Sequence, residues 1–298
     1  MSKILVIGSS NTDMVVKTAR FPQPGETIIG GEFFMFPGGK GANQAVAAAR
    51  MGGQVTLIAK VGDDVFGQQA LDGFVHEGIH VDYVFTDKEL ASGVALITVN
   101  GAGENEIVVA PGANAALLPA DLDQAESAFA SADLVLMQLE TPVITVLHAA
   151  AKTTALGKRF VLNPAPAQDL PAELFPHLFL ITPNETEATL LTGIALDDDA
   201  ALPRIAEAFL QKGVANVIIT LGARGAYFHN AETHFMTAAP KVEALDTTAA
   251  GDVFNGALAV ALAEGMDWQE AINVACQAGA LAVTRMGAQA SAPFREEL

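Results

Sequence analysis

Six short apolar strings punctuate the chain: KILVIG at 3–8, VTLIAKVG at 55–62, DLVLMQL at 133–139, RFVLN at 159–163, FLITP at 179–183 and VANVIITLG at 214–222. Strands apolar on both faces are buried on both faces, which is the signature of a parallel sheet covered by helices. The intervening segments supply those helices, expected over 64–77, 121–130, 142–156, 185–191, 198–212 and 268–283. A further strand, AYFHN, is expected at 226–230, and a long apolar helix, FNGALAVALAEG, follows DTTAAGD. The succession predicts an α/β fold with a mostly parallel sheet.

Two β-rich sections interrupt this rhythm. TIIGGEFFMF at 27–36 mixes β-branched and aromatic residues with paired glycines and is expected to be a bent pair of strands. SGVALITVNGAGENEIVVAPGAN at 92–114 has two β-rich runs around a Gly/Asn turn, with no room for a crossover helix, so it is expected to be a hairpin. Together with 12–40 it forms a small sheet outside the main body. The alanine-rich string GGKGANQAVAAARMGG returns to a helical period, starting after Gly38-Gly39 and ending before Gly52-Gly53.

Composition narrows the partners. The formal net charge of −18 comes with no basic stripe, which argues against a broad nucleic-acid face, although a few N–H groups and bound cations still suffice for a small anion. A hydrophobic content of 51% with 17% charged residues argues against general disorder. The single Cys276 cannot form an internal disulfide, and MSKILVIGSSNTD turns polar too soon for a secretory segment. No run reaches the roughly 18 apolar residues of a membrane helix, so a cytoplasmic protein without membrane or nucleic-acid partners is expected. His76 and His80 have i,i+4 spacing, but Gly78 intervenes and no H-E-x-x-H frame exists.

The strings that carry chemistry lie at strand-to-helix junctions. Small residues in DTTAAGD, 246–252, run into the long apolar helix and leave its first N–H groups open to a phosphate. Asp252 there either caps the helix or accepts a proton from a substrate hydroxyl while those N–H groups stabilise a transferring phosphoryl. Asp246 either binds a cation or fixes the loop. In PGGKGANQ, adjacent glycines admit backbone contact with a polyhydroxylated ligand or act as a hinge, and Asn43 suits hydroxyl recognition or helix initiation. Lys40 contacts a ligand or solvent. Asn11 and Asp13 offer hydroxyl partners or an Asx turn, and Glu140 puts an abrupt charge at the exit of an apolar strand. Asn184 and Glu187, one turn apart, either organise phosphate-bound magnesium or obey helix-start rules. TLGARG at 220–225 lines nucleotide phosphates through Thr220, Gly222 and Gly225, with Arg224 adding charge, or is a simple turn.

Taken in order, GSSNTD, PGET, GGKGANQAVAAAR, VGDD, GVALITVNGAGEN, GANAAL, MQLE, NPAPA, ITPNETEA, ITLGARG, DTTAAGDVFNGAL and AVTRMGAQAS resemble the ribokinase family of phosphofructokinase-B-type carbohydrate kinases over nearly the whole chain. That family often shows DTxGAGD, whereas Ala249 here replaces the first glycine of the triplet; Gly251 and Asp252 remain. The resemblance implies a Rossmann-like α/β body over 1–10, 41–90 and 113–298. A discontinuous β lid over 11–40 and 91–112 would pair with another lid in a homodimer. It implies ATP-dependent phosphorylation of the D-ribose 5-hydroxyl with Asp252 as the base. Asn11, Asp13, Gly39, Lys40, Asn43 and Glu140 would bind the sugar, and the backbone of Ala249, Ala250, Gly251 and Asp252 would stabilise the transferred charge. Asn184 and Glu187 would position phosphate and Mg2+, with Thr220, Gly222, Gly225 and Gly251 near the nucleotide. K+ is the implied activator, held by Asp246, Thr248, Ala282, Arg285, Gly287 and Ser291, some through carbonyls. A kinase for fructose or a deoxyribose is the alternative within enzymes, and a silent sugar-binding regulatory protein the alternative outside them.

Overall fold

The structure, a computed structural model, describes residues 2–298. The chain runs through β1 (Lys3–Ile7), β2 (Asn11–Lys17), β3 (Glu32–Gly38), α1 (Lys40–Arg50), β4 (Gln54–Gly62), α2 (Val65–His76), β5 (His80–Asp87), β6 (Gly93–Val99) and β7 (Asn105–Ala110). It continues through α3 (Pro119–Asp123), α4 (Glu126–Ser131), β8 (Leu134–Met137), α5 (Val143–Ala155), β9 (Arg159–Leu162), β10 (Leu180–Ile181), α6 (Glu185–Thr192) and α7 (Leu202–Gln211). It closes with β11 (Asn216–Thr220), β12 (Ala226–Asn230), β13 (His234–Thr237), α8 (Ala250–Ala263) and α9 (Trp268–Ala282).

Among the described residues the large sheet has nine strands in the order β13-β12-β11-β10-β9-β8-β1-β4-β5, parallel except at β11-β12 and β12-β13. Its apolar strings are sorted by the two-residue period of a strand. Ile4, Val6, Val55, Leu57, Leu134, Leu136 and Ile218 face the core shared with α1, α8 and α9. Leu5, Ile7, Ile58, Val135, Met137, Phe160 and Ile219 face the core under α5 and α7. Each such fully buried aliphatic side chain contributes about 2 kcal/mol, which is why these strands need no polar face.

Two helices of the first layer meet unusually closely. A Cβ at Gly256 in α8 would lie 2.6 Å from Ala47 Cβ and 2.7 Å from the Gln44 carbonyl oxygen in α1. Only a glycine permits that approach. It sets the side chains of α1 beside Asp252, one turn earlier on α8.

The small sheet has the order β3-β2-β6-β7, with β2-β6 parallel and the outer pairs antiparallel. The chain leaves the large sheet after β1 for β2 and returns at α1, then leaves after β5, whose end pairs with that of β4 at Gly62 and Asp87, for β6 and returns after β7. Met35, Met14, Leu96 and Val108 form one row across this sheet, with Phe33 two residues along. Phe33 is 61% exposed and Val108 67% exposed.

Three expectations change. Residues 27–36 are not a bent pair of strands: β3 begins at Glu32, and Gly30 and Gly31, at φ 119° and 115°, lie outside the strand. The helix expected over 121–130 is two short helices, α3 and α4, with Gln124 and Ala125 between them. The segment 198–212 opens with a 3-10 turn, Asp199–Ala201, before α7. In addition, β5 went unrecognised in the sequence, because HVDYVFTD is an edge strand of half-exposed, mixed residues.

Candidate active site

The site is built where α1 starts. Gly39 takes φ 89°, and a Cβ on it would lie 2.7 Å from the Asn11 amide nitrogen. No side chain within the turn caps α1. The opening N–H groups find distant partners instead: Lys40 N–H donates to Glu140 Oε2 (2.9 Å), Gly41 N–H to Ser9 Oγ (3.3 Å) and Ala42 N–H to the Ser9 carbonyl (2.8 Å). Ser9 Oγ in turn donates to Glu140 Oε2 (2.5 Å). Glu140 therefore caps a helix from 100 residues away, and only its second oxygen remains for a ligand.

Asp252 lies in the first turn of α8, 6% exposed. Its Oδ2 accepts from Asn43 Nδ2 and its Oδ1 from Gln44 Nε2, both at 2.9 Å. Asn43 is 6% exposed, and its Oδ1 has no hydrogen-bond partner. The residue before α8, Ala249, adopts a left-handed conformation (φ 58°, ψ 11°) with no side-chain cap; Ala250 N–H reaches the Thr247 carbonyl at 3.4 Å, and the N–H groups that follow in the first turn lie at the helix's open end. Asn255 Nδ2 donates to the Gly251 carbonyl (2.8 Å), and its Oδ1 accepts from Thr182 Oγ1 (2.6 Å), which braces that turn. Ala250 and Gly251 precede Asp252 in the same turn, and the space above Gly251 is open.

Burial and mutual repulsion shape the charges. Asp13 projects from β2 above Gly38, and burial, with Glu140 and Asp252 nearby, raises its carboxyl to about 6. Burial also pushes Asp252 above the usual carboxylate range, against the pull of Lys40, Asn43 and Gln44. Burial works against the Lys40 ammonium, but Asp252, Glu140, Glu187 and Asp13 outweigh it and hold its pKa above the ordinary lysine value. One cation thus faces four carboxylates. Asn11 sits below, its Oδ1 accepting from Asn114 Nδ2 (2.8 Å); Asn114 also accepts from Ser10 N–H (2.9 Å).

On the other flank, Asn184 and Glu187 form a capping box at the start of α6: Asn184 N–H donates to Glu187 Oε2 and Glu187 N–H to Asn184 Oδ1, both at 2.9 Å. The helix-start reading is therefore realised. Glu187 is nonetheless 6% exposed, and burial raises its carboxyl despite the Asn184 N–H and Lys40. Thr220 bridges to Asn184 and donates its N–H to the Pro183 carbonyl (2.9 Å). Gly222 faces open space, whereas a Cβ at Gly225 (φ 101°) would collide with the Thr237 carbonyl, so the fold itself demands that glycine. Arg224 donates to Glu185 (2.5 Å) and Asp199, and its charge is engaged with them.

The loop before α8 is tied to the loop after α9. Asp246 Oδ1 accepts from Thr248 N–H and Oδ2 from Gly287 N–H, both at 2.9 Å. Partial burial opposes its charge, but these donors hold it below the ordinary value. Ala282 accepts from Arg285 N–H (3.0 Å), the Arg285 guanidinium pairs with Glu297 (2.6 Å), and Ser291 Oγ donates to the Ala288 carbonyl (2.8 Å).

The structure thus gathers Asp13, Lys40, Glu140, Glu187 and Asp252 into one electrostatic group, with Asn11, Gly39 and Asn43 beside it. Sequence reasoning missed Ser9, Gln44, Asn114 and Asn163. Gln44 adjoins Asn43 in GGKGANQ, and Asn163 opens NPAPA, so position within those strings was the available signal. Burial raises the Cys276 thiol to about 11, consistent with a small buried residue.

A strand-end site with a buried carboxylate opening a helix suits proton abstraction from a hydroxyl beside an anion-binding turn, the chemistry of a phosphoryl-transferring enzyme. The profile of pfkB family carbohydrate kinases matches residues 1–295, and the chain belongs to this family. It is 43% identical over 294 residues to the ribokinase of Haemophilus influenzae, covering 99% of this chain and 96% of that one. It is 37% identical over 295 residues to the deoxyribokinase of Salmonella typhi, covering 99% and 96%. The structure of Arabidopsis thaliana ribokinase complexed with ribose and ATP superposes with a TM-score of 0.95 at 30% identity, covering 99% of this chain and 97% of that one.

Proposed function

We propose that the protein is an ATP-dependent ribokinase, transferring the γ-phosphoryl of ATP to the 5-hydroxyl of D-ribose to give D-ribose 5-phosphate and ADP. The observation that carries this reading is Asp252: an aimed, buried carboxylate at an open helix N-terminus, in a chain related to ribokinases over its full length. Asp252 takes the hydroxyl proton, the sugar oxygen attacks the γ-phosphorus, and the bond from that phosphorus to the β–γ bridging oxygen breaks. The N–H groups of Ala249, Ala250, Gly251 and Asp252 face the charge that builds on the transferring group. Asn11, Asp13, Gly39, Lys40, Asn43 and Glu140 hold the sugar; Asn43 Oδ1, a buried acceptor without a partner, suits a hydroxyl.

Among the described residues there is no group of three or more His, Cys, Asp or Glu able to hold a metal ion. Mg2+ would arrive with ATP, ligated largely by phosphate and water, with the buried Glu187 carboxylate and Asn184 steering it and Thr220, Gly222 and Gly225 along the nucleotide. The Asp246 carboxylate, held ionised where the loop before α8 meets the loop after α9, suits K+; Thr248, Ala282, Arg285, Gly287 and Ser291 complete that loop. The K+ charge would support the neighbouring anion-binding turn.

The small sheet acts as the lid, and its apolar row (Met35, Leu96, Val108, with Phe33) is the homodimer face, closed by a second copy. No helix among the described residues is long and apolar enough to cross a membrane, and the proposed location is the cytoplasm.

The test is sugar-dependent ADP formation with D-ribose, 2-deoxy-D-ribose and D-fructose compared directly. Preference for D-ribose is expected. The similarity to a deoxyribokinase favours a second reading, which a preference for 2-deoxy-D-ribose would establish.

A further inference from the structure

Behind Asp252 lies a buried run of three amide side chains outside any substrate-facing set. Gln44 is 0% exposed and Gln138 1% exposed. Gln138 Nε2 donates to Gln44 Oε1 (2.6 Å), and Gln44 Nε2 donates to both Asp252 Oδ1 (2.9 Å) and Asn163 Oδ1 (3.0 Å). Asn163 Nδ2 then donates to the Thr182 carbonyl (3.0 Å).

The direction of this chain follows from the carboxylate. An ionised Asp252 only accepts, so Gln44 must present its amide nitrogen, which turns its oxygen toward Gln138 and obliges Gln138 to present nitrogen in turn. The far end bears the cost: Gln138 Oε1 is buried with no partner. A buried orphan acceptor is otherwise selected against, so its presence here marks the near end as the part that matters. Two amide dipoles are aligned head to tail, Gln138 donating to Gln44 and Gln44 to the carboxylate, and they reinforce one another in a dry setting.

We propose that Gln44, with Gln138 behind it, is the positioning relay of the base: the pair fixes the Asp252 carboxylate in its proton-accepting orientation and sustains its ionised form. The inference rests on Asp252 being the base. The other charged groups facing Asp252 are Lys40 from α1, Asp13 from β2, Glu140 after β8 and Glu187 from α6. Of these, only Lys40 favours the carboxylate. The neutral amides of Gln44 and Asn43 supply the rest of its support.

The experiment is the pH profile of kcat, with sugar KM, for the full-length protein and the variants Gln44→Met, Gln138→Met and Asp252→Asn. Losing the Gln44 donor disfavours ionisation of Asp252, so the acidic limb moves to higher pH, by about one pH unit. Gln138→Met moves it the same way by less, and KM for the sugar stays within about twofold in both, since neither residue touches the sugar. Gln138→Met removes the orphan Gln138 Oε1 and strands Gln44 Oε1 in its place, a near-even exchange, so its fold is expected to survive even if that of Gln44→Met does not. An unmoved acidic limb in the folded glutamine variants, with Asp252→Asn inactive, overturns the relay and leaves the base role standing. Turnover retained in Asp252→Asn overturns both.

Discussion

Asn43 uses only one of its two polar atoms within the protein: Nδ2 donates to Asp252 Oδ2 at 2.9 Å, while the buried Oδ1 has no partner. Binding a sugar hydroxyl there would satisfy an acceptor that is otherwise stranded. Asn43→Ala is expected to raise the sugar dissociation constant by about 10- to 100-fold, the cost of one such contact. Calorimetric titration with D-ribose measures it, and unchanged affinity would remove Asn43 from the sugar site.

Asp252→Asn keeps the shape and the packing of α8 but removes the proton acceptor. Turnover is expected to fall by about 10^2- to 10^4-fold with ATP affinity largely retained. Steady-state kinetics and nucleotide titration separate the two effects, and an unchanged kcat would refute the base assignment.

Asp13 makes a stability prediction with a definite sign. Burial, with Glu140 and Asp252 nearby, raises its carboxyl from the ordinary aspartate range to about 6, so between those values the folded state holds the proton more tightly than the unfolded chain. Stability from this group therefore falls as pH rises from about 4 to about 6, and the loss persists above that range. Asp13→Asn is expected to raise Tm by a few degrees at pH 7.5, with the gain vanishing near pH 4. Thermal unfolding at the two pH values decides, and equal Tm differences at both would contradict the burial argument.

Ala249 is the single non-glycine residue at positive φ among the described residues. A left-handed alanine costs about 1 kcal/mol or more, which glycine recovers in part against its greater unfolded freedom. Ala249→Gly is expected to raise Tm by about 1–3 °C. A lower Tm would show that the methyl group stabilises the turn more than the backbone strains it.

Replacing K+ with tetramethylammonium at matched ionic strength is expected to lower kcat several-fold. Asp246→Asn, which removes the carboxylate joining Thr248 and Gly287, should flatten the response to the two cations. It should also abolish any K+-dependent rise in Tm of the protein without substrates. Identical responses in wild type and variant would place the cation elsewhere.

The apolar strings were legible because strands buried on both faces need uninterrupted hydrophobic runs; Leu5 and Val6 go to opposite cores, yet both must be apolar. The edge strand β5 was not, because HVDYVFTD meets solvent along much of its length and carries neither a run nor a clean alternation. The helix over 121–130 looked continuous since nothing in its composition marks the break at Gln124 and Ala125. At the site, residues near one another in sequence were found readily, such as Asn184 and Glu187. Partners such as Gln44 and Asp252, or Lys40 and Glu140, lie 208 and 100 residues apart and meet only because the Gly256 contact and the end of β8 bring them together.

The crowding of Asp13, Glu140, Glu187 and Asp252 around one lysine bears on how a catalytic cycle ends. In the proposed reaction a neutral sugar enters this pocket and a phosphate ester, carrying close to two negative charges at neutral pH, must leave it. Carboxylates that accept the first are repelled by the second. On that proposal the pocket would grow hostile to its contents as the reaction proceeds, and Asp13, Glu140 and Asp252, the groups proposed to meet the sugar, would hold down product inhibition by the sugar phosphate.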